Sequence, residues 1–269
     1  MDESRPEQAR FLRSHLLDPL VYSSIWMASA AACLTFAAGK AMGLPFPTHA
    51  GTLTFCGILL VYNLDRLRDL DRDRATSPRR SAFIEHYRKQ LWGLTVASAV
   101  GASLLLLQAP RAVQLIAVGV LLLGFAHRRI KRLAYFKELY LTAAWLAGIL
   151  GLPANYTTST TSATGAQHLA YCACVLGPAL LANDMAASIR DAEGITKKIG
   201  CGVTLQLSRA IALIAVGFGI FAPESVQPLT AVPALTALAL LGYRPGETYG
   251  FLAVDGALFA GALMALALS

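Results

Sequence analysis

The chain has 269 residues, of which 55% are hydrophobic and only 14% charged, with a mean hydropathy of +0.53. A water-soluble domain of this length needs roughly a quarter of its residues charged to cover its surface, so these proportions exclude a soluble globular protein. The net charge of +7 comes from short basic stretches between apolar runs, which suits anionic headgroups or an anionic substrate. Those stretches offer no aromatic platform for bases, so no nucleic acid partner is expected.

Read in chain order, nine apolar stretches approach or exceed the ~20 residues that cross a bilayer as helix. The first runs from about Leu20 to Met42 and the second from about Gly51 to Asn63. The second is short unless it begins in the loop before it or continues as helix through the charges that follow. Leu91–Leu107, Val113–Ala126, Leu139–Pro153 and Leu169–Ala182 come next, followed by Ile211–Phe221, Leu229–Leu241 and Tyr249–Leu268. The expected fold is all-α, a polytopic bundle of about nine transmembrane helices around a central cavity. If Met1–Arg13, polar and without the apolar core of a signal peptide, is cytoplasmic, the loops alternate cleanly. Of the 23 Lys and Arg, only Lys40 and Arg111 then fall outside, as the positive-inside rule requires.

The five cysteines, Cys33, Cys56, Cys172, Cys174 and Cys201, show no zinc-like spacing with histidines and read as small helix-packing residues. Tyr62, Tyr87, Tyr135, Tyr140 and Trp145 could shield a cation by their ring faces. At helix ends such residues more often anchor the interface. Asp255 lies inside the last span, where it could pair with a neighbouring helix, cap a local break, or sit nearer the surface.

Two acidic groups stand out, both at the inner ends of spans. Asp65, Asp69 and Asp73 follow span two at intervals of four and line one face if the helix continues. Their mutual repulsion must be offset. Arg68 and Arg72, three residues beyond Asp65 and Asp69, could do it as surface ion pairs. A hard divalent cation such as Mg²⁺, which takes carboxylates, waters and phosphate oxygens together, could do it as well. The second group, Asn183-Asp184 with Arg190-Asp191-Ala192-Glu193-Gly194, lies on the same side of the membrane. Asp184 and Asp191 are two turns apart and roughly share a face. Two such groups at the membrane edge make a site for metal ions bridging an anion. The basic residues Arg128, Arg129, Lys131, Arg132 and Lys137 lie where they could grip its remaining charge.

Nine spans with Asp-rich motifs after the second and sixth resemble the UbiA superfamily of intramembrane prenyltransferases. That family carries N-D-x-x-D-x-x-x-D in its first motif, and Asp65, Arg66, Asp69 and Asp73 fall at those positions. Asp replaces the leading Asn, and Arg66 replaces the second-position Asp. A register starting at Asn63 would leave Leu67 at an acidic position. Asp191-Ala192-Glu193-Gly194 matches the D-x-E-G core of the second motif, with Ile195 where a last Asp belongs. Asn183-Asp184 fits its opening only with about three residues inserted. Lys131-Arg132 to Lys137-Glu138 is similar to the family's basic inner loop.

The resemblance implies a single transmembrane domain over residues 1–269, with residues 1–16 as a cytoplasmic segment, in a bacterial inner membrane. It implies Mg²⁺ as cofactor, held by Asp65, Asp69, Asp73, Asp184 and Asp191, with Asp65, Asp69, Asp73 and Asp191 catalytic. Arg66, Lys131, Arg132, Lys137, Lys197 and Asn63 are then expected to bind the diphosphate of an isoprenyl donor. The prenyl group would pass to a lipophilic, aromatic acceptor from a site opening to the cytoplasm. Two alternatives stay open: a terpene cyclase of the same type, needing no acceptor, and a non-catalytic membrane protein whose acids are only topology signals and ion pairs.

Overall fold

The computed structural model describes residues 18–45, 47–74, 77–130, 136–156, 163–244 and 246–269, and the described elements are helical. Helices lie over each apolar stretch. Four of them, Arg88–Leu107, Thr164–Asp191, Cys201–Ile220 and Gly250–Leu268, are long and apolar enough to cross a membrane among the described residues.

Helix α1 (Ile25–Ala41) is rich in alanine and buried along most of its length. Small side chains there let it pack between α2 (Thr48–Asp73) and the final helix of the chain. Helix α2 runs without a break through the charged segment that follows the second apolar stretch. It therefore carries apolar residues at one end and Asp65, Asp69 and Asp73 at the other. A short helix α3 (Pro78–His86) begins with proline in its first turn, where a missing N–H costs nothing. It folds back beside α2, and α4 (Arg88–Leu107) and α5 (Arg111–Ile130) follow.

Helix α6 (Phe136–Leu146) passes through a π-helical turn, Ala147–Gly151, into α7 (Leu152–Tyr156). Helix α8 (Ala163–Asp191) is continuous despite Pro178 and brings Asp184 and Asp191 onto one element. A short α9 (Thr196–Ile199) leads into α10 (Cys201–Ile220), then a 3₁₀ turn and α11 (Ala231–Leu241). The chain ends with α12 (Glu247–Tyr249), a second π-helical turn at Gly250–Val254, and α13 (Asp255–Leu268).

The side-chain distribution is inverted relative to a soluble protein. Leu104, Leu115, Leu122, Phe218, Leu238 and Leu241 face outward, while Asn63, Arg66, Asp69, Arg80, Lys137, Glu138, Asn183 and Asp255 are buried. Apolar side chains cost nothing against lipid, whereas polar ones must be satisfied inside the bundle. The main apolar core joins α1, α6, α8 and α13 through residues such as Leu34, Trp145, Leu176 and Leu258.

Candidate functional site

A cavity of about 290 Å³ runs between α2, α5, α6 and α8. One end is apolar, lined by Leu53, Ile58, Val61, Leu121, Leu141 and Leu180. The other end carries seven carboxylates (Asp65, Asp69, Asp73, Asp184, Asp191, Glu193 and Asp255) and four basic side chains (Arg66, Arg80, Lys137 and Arg190). The two π-helical turns both contribute to the wall, through Gly148 and Ile149 and through Phe251. Such turns re-aim side chains inside an otherwise regular helix.

The face formed by Asp65, Asp69 and Asp73 is directed into the cavity, and Asp184 and Asp191 line it from α8. Asp73 is half-buried and accepts from Arg80 Nη2 at 2.8 Å. Burial pushes its carboxyl above the usual range, Arg80 pulls it down, and the charges of Asp191, Asp65 and Asp69 push it up again. The two acidic groups are thus close enough to act on each other's charge. Asp191 is held by Arg190 through Nε at 3.0 Å and Nη2 at 3.2 Å. Arg190 also stands 3.6 Å from Asp255. Asp255 therefore both opens α13 after the π-helical turn and pairs with a neighbouring helix. Asp184 accepts a 3.0 Å hydrogen bond from the Thr142 hydroxyl. Seven residues of helical rise put it about 10 Å from Asp191 along α8, and both line the cavity.

The loop after Asp191 is fastened by a buried carboxylate. Glu138 accepts from the Ser188 hydroxyl at 2.6 Å and from the Ile195 N–H at 3.0 Å, while Lys137 pairs with Glu193 at 3.3 Å. Gly194 stands at φ +57°, and a side chain there would collide with the Glu138 carboxylate. The Glu193-Gly194 pair in the sequence thus serves a turn that wraps Glu138, with Lys137 and Glu138 adjacent on α6 as its two anchors.

The expected diphosphate-binding residues stand in several environments. Arg66 lines the cavity, but its Nη1 donates to the carbonyls of Val21 and Tyr22 at 3.2 and 2.8 Å. That nitrogen caps the backbone that enters α1. Asn63 accepts from the Ser24 hydroxyl at 2.8 Å and is not among the cavity-lining residues. Lys197 is exposed on α9, because the Gly194 turn carries the chain away from the cavity. Lys137 is buried at the cavity wall and bonded to Ser188 and Glu193. Lys131, Arg132 and Tyr135 lie outside the described residues, as do the side chains of Arg128 and Arg129 and the segment 1–16.

Sequence reasoning missed Arg80 and Phe251 and left Tyr62 and Trp145 between cation shielding and interface anchoring. Both of these aromatic residues line the cavity, with the Trp145 Nε1–H donating to the Tyr62 hydroxyl at 3.2 Å and the rings perpendicular. Arg80 and Phe251 belong to no motif; they reach the site by the return of α3 and by the π-helical turn before α13.

The described residues define an all-helical membrane protein with an amphiphilic cavity, apolar at one end and charged at the other. Its fold is that of a UbiA homologue from Aeropyrum pernix K1, solved in the apo state, which it matches with a TM-score of 0.63 at 19% identity. The match spans 88% of this chain and 97% of that one. No protein-family model matches the sequence, and no curated protein does. The likeness expected from the two acidic motifs is therefore borne out at the level of fold.

Among the described residues, no three His, Cys, Asp or Glu side chains stand close enough together to hold a metal ion. Carboxylates nevertheless outnumber basic groups at the cavity mouth. That surplus fits a hard divalent cation completing its coordination with water and phosphate oxygens rather than with an all-protein cage.

Proposed function

We propose that the protein is an intramembrane prenyltransferase that takes an isoprenyl diphosphate and passes its prenyl group to a lipophilic, aromatic acceptor. The observation that carries this reading is the cavity itself. An apolar pocket continuous with a carboxylate-rich, arginine-bearing mouth matches a molecule with a hydrocarbon tail and a polyanionic head. The likeness in fold to a UbiA homologue supports it.

In this reading the chain crosses the membrane nine times, with its N-terminus and the charged mouth on the cytoplasmic side of a bacterial inner membrane. Asp65, Asp69, Asp73 and Asp191 would hold Mg²⁺, with Asp184 on α8 completing the set. Bound there, Mg²⁺ would supply Lewis-acid stabilisation of charge on the departing diphosphate. Lys137, with Lys131 and Arg132, neutralises what remains. The apolar walls orient the tail and keep water from the allylic carbon, so that the acceptor captures it instead. Tyr62 and Trp145 line the same cavity, and aromatic rings there would stabilise positive charge that develops beside them.

The test is release of diphosphate from a panel of isoprenyl diphosphates by the detergent-purified chain, with and without Mg²⁺. Mg²⁺-dependent release that requires a lipophilic acceptor is the expected result. A cyclic hydrocarbon formed from donor alone would replace transfer by cyclisation. No release from any donor, even with lipid extract added, would leave a non-catalytic protein.

A further inference from the structure

We infer that Gly57 and Gly148 set the length of prenyl tail that the cavity accepts. Their missing side chains leave a passage that a farnesyl or longer chain must thread and that a geranyl chain does not need. The inference rests on the reading of the cavity as an isoprenyl diphosphate site, and neither glycine belongs to a motif.

Glycine inside a helix is destabilising relative to alanine, so each one calls for a reason. Several helical glycines of this chain have one in close packing. A methyl group on Gly51 would stand 2.4 Å from the Phe36 ring, one on Gly124 2.9 Å from Val61, and one on Gly261 2.6 Å from the Val232 backbone. Gly57, inside α2, and Gly148, in the π-helical turn after α6, have no such neighbour. A methyl group on either would meet no atom within 4 Å among the described residues. Both glycines line the cavity. Gly57 shares its helix face with Leu53, Thr54, Val61 and Asp65, and Gly148 shares its own with Leu141, Ala144 and Leu152, all of them cavity-lining. The space that a side chain would take at either position is therefore the lumen itself.

Two contacts between facing elements bracket this level of the cavity. The Thr54 hydroxyl stands 3.5 Å from the Gly148 carbonyl, and the Trp145 Nε1–H donates to the Tyr62 hydroxyl at 3.2 Å. Gly57 lies between Thr54 and Tyr62 on α2, so the two glycines widen the lumen between those ties. Eight residues of α2 separate Gly57 from Asp65, about 12 Å of helical rise, close to the extended length of a geranyl chain. Past the glycines the lining continues with Leu53, Ala102, Leu106 and Leu152. These pack with Ala50 and Val113, which are fully buried and no longer part of the lining. A farnesyl or geranylgeranyl chain with its diphosphate at the carboxylates reaches that pocket only by passing Gly57 and Gly148. The longer chain then gains affinity in proportion to the extra apolar surface it buries. A branched side chain at either glycine closes the passage and cancels that gain, while the part of the tail nearer the carboxylates keeps its walls.

The test is calorimetric titration of the full chain, purified in detergent with Mg²⁺, with the S-thiolodiphosphates of geraniol and geranylgeraniol, whose carbon–sulfur bond resists ionisation. Wild-type protein should bind the longer probe at least about tenfold more tightly than the shorter. Gly57→Leu and Gly148→Leu should each reduce that preference to within about threefold, by weakening the longer probe alone. Gly57→Ala and Gly148→Ala should fall between, and they decide if the Leu variants do not fold. Gly93→Leu fills equally open space at an exposed position of α4 away from the cavity, and it should keep the wild-type preference. Equal affinity of the wild type for both probes, or binding of neither, overturns the inference. So does an unchanged preference in either glycine variant, or an equal loss in Gly93→Leu. Turnover of isoprenyl diphosphates with a length preference that the variants leave unchanged would overturn it while prenyl transfer stands. Length-selective binding that depends on both glycines, in a protein that turns over no donor, would overturn prenyl transfer and leave this inference standing.

Discussion

The latch on the second acidic segment can be tested by replacing Glu138 with alanine. Glu138 is 3% exposed and accepts two hydrogen bonds, from Ser188 and from the backbone of Ile195. Each is charge-assisted and worth about 1.5–3 kcal/mol, and its loss leaves a buried donor without a partner. The relief from no longer burying a carboxylate offsets part of this. A net cost of about 3 kcal/mol, roughly a hundredfold in the opening equilibrium of the loop, is the expected result. The assay is hydrogen exchange of the Ile195 amide, followed in a peptide spanning residues 188–196. Glu138→Gln keeps an acceptor oxygen in place and should lose far less. Gly194→Ala should open the same loop from the other side, because it strains a positive φ by about 1 kcal/mol or more and drives a methyl group into the carboxylate. Exchange within threefold of wild type in Glu138→Ala would refute the idea that this carboxylate holds the loop.

Three further outcomes follow from the geometry. Arg66→Gln should lower the thermal midpoint in detergent, since two buried carbonyls lose their donor, while affinity for inorganic diphosphate stays within about threefold of wild type; a larger loss of affinity would return Arg66 to the anion site. Gly250→Ala should weaken diphosphate binding about tenfold, about 1.4 kcal/mol. Its added methyl would stand 2.7 Å from the Arg190 Cδ and push that side chain off the Phe251 ring; unchanged binding would show that Arg190 accommodates it. Thr142→Val leaves the buried Asp184 carboxylate without its hydroxyl donor and should cost about 1–3 kcal/mol of stability. Thr142→Ser should cost little, and equal melting of the two variants would show that the bond contributes nothing.

The sequence is most legible where the physics is local. Asp65, Asp69 and Asp73 recur at helical spacing, so one helix run through the charges had to align them, and α2 does so into the cavity. Asp184 and Asp191 share α8 for the same reason. It is least legible for residues whose role depends on a partner far along the chain. Arg66 reads as a motif position, yet it is bound to Val21 and Tyr22, which packing of α1 brings to it. Lys197 reads as part of a basic cluster, yet the Gly194 turn sends it to the surface. Tyr62 and Trp145 look like interface anchors until α2 and α6 are set face to face.

Composition and charge placement by themselves determined that this is a membrane protein, with nearly all basic residues expected on one side, because a bilayer taxes every polar group that enters it and translocation disfavours Lys and Arg. Helical periodicity determined which acids share a face. Only the tertiary structure decided that Arg80 meets Asp73 across the turn into α3, that Arg80 and Arg190 share the ring of Phe251, and that Glu138 is wrapped by the chain at Gly194. All but the first of those contacts join segments distant in sequence. Their geometry is set by how side chains fill the space between helices, for which a single chain carries no repeating signal.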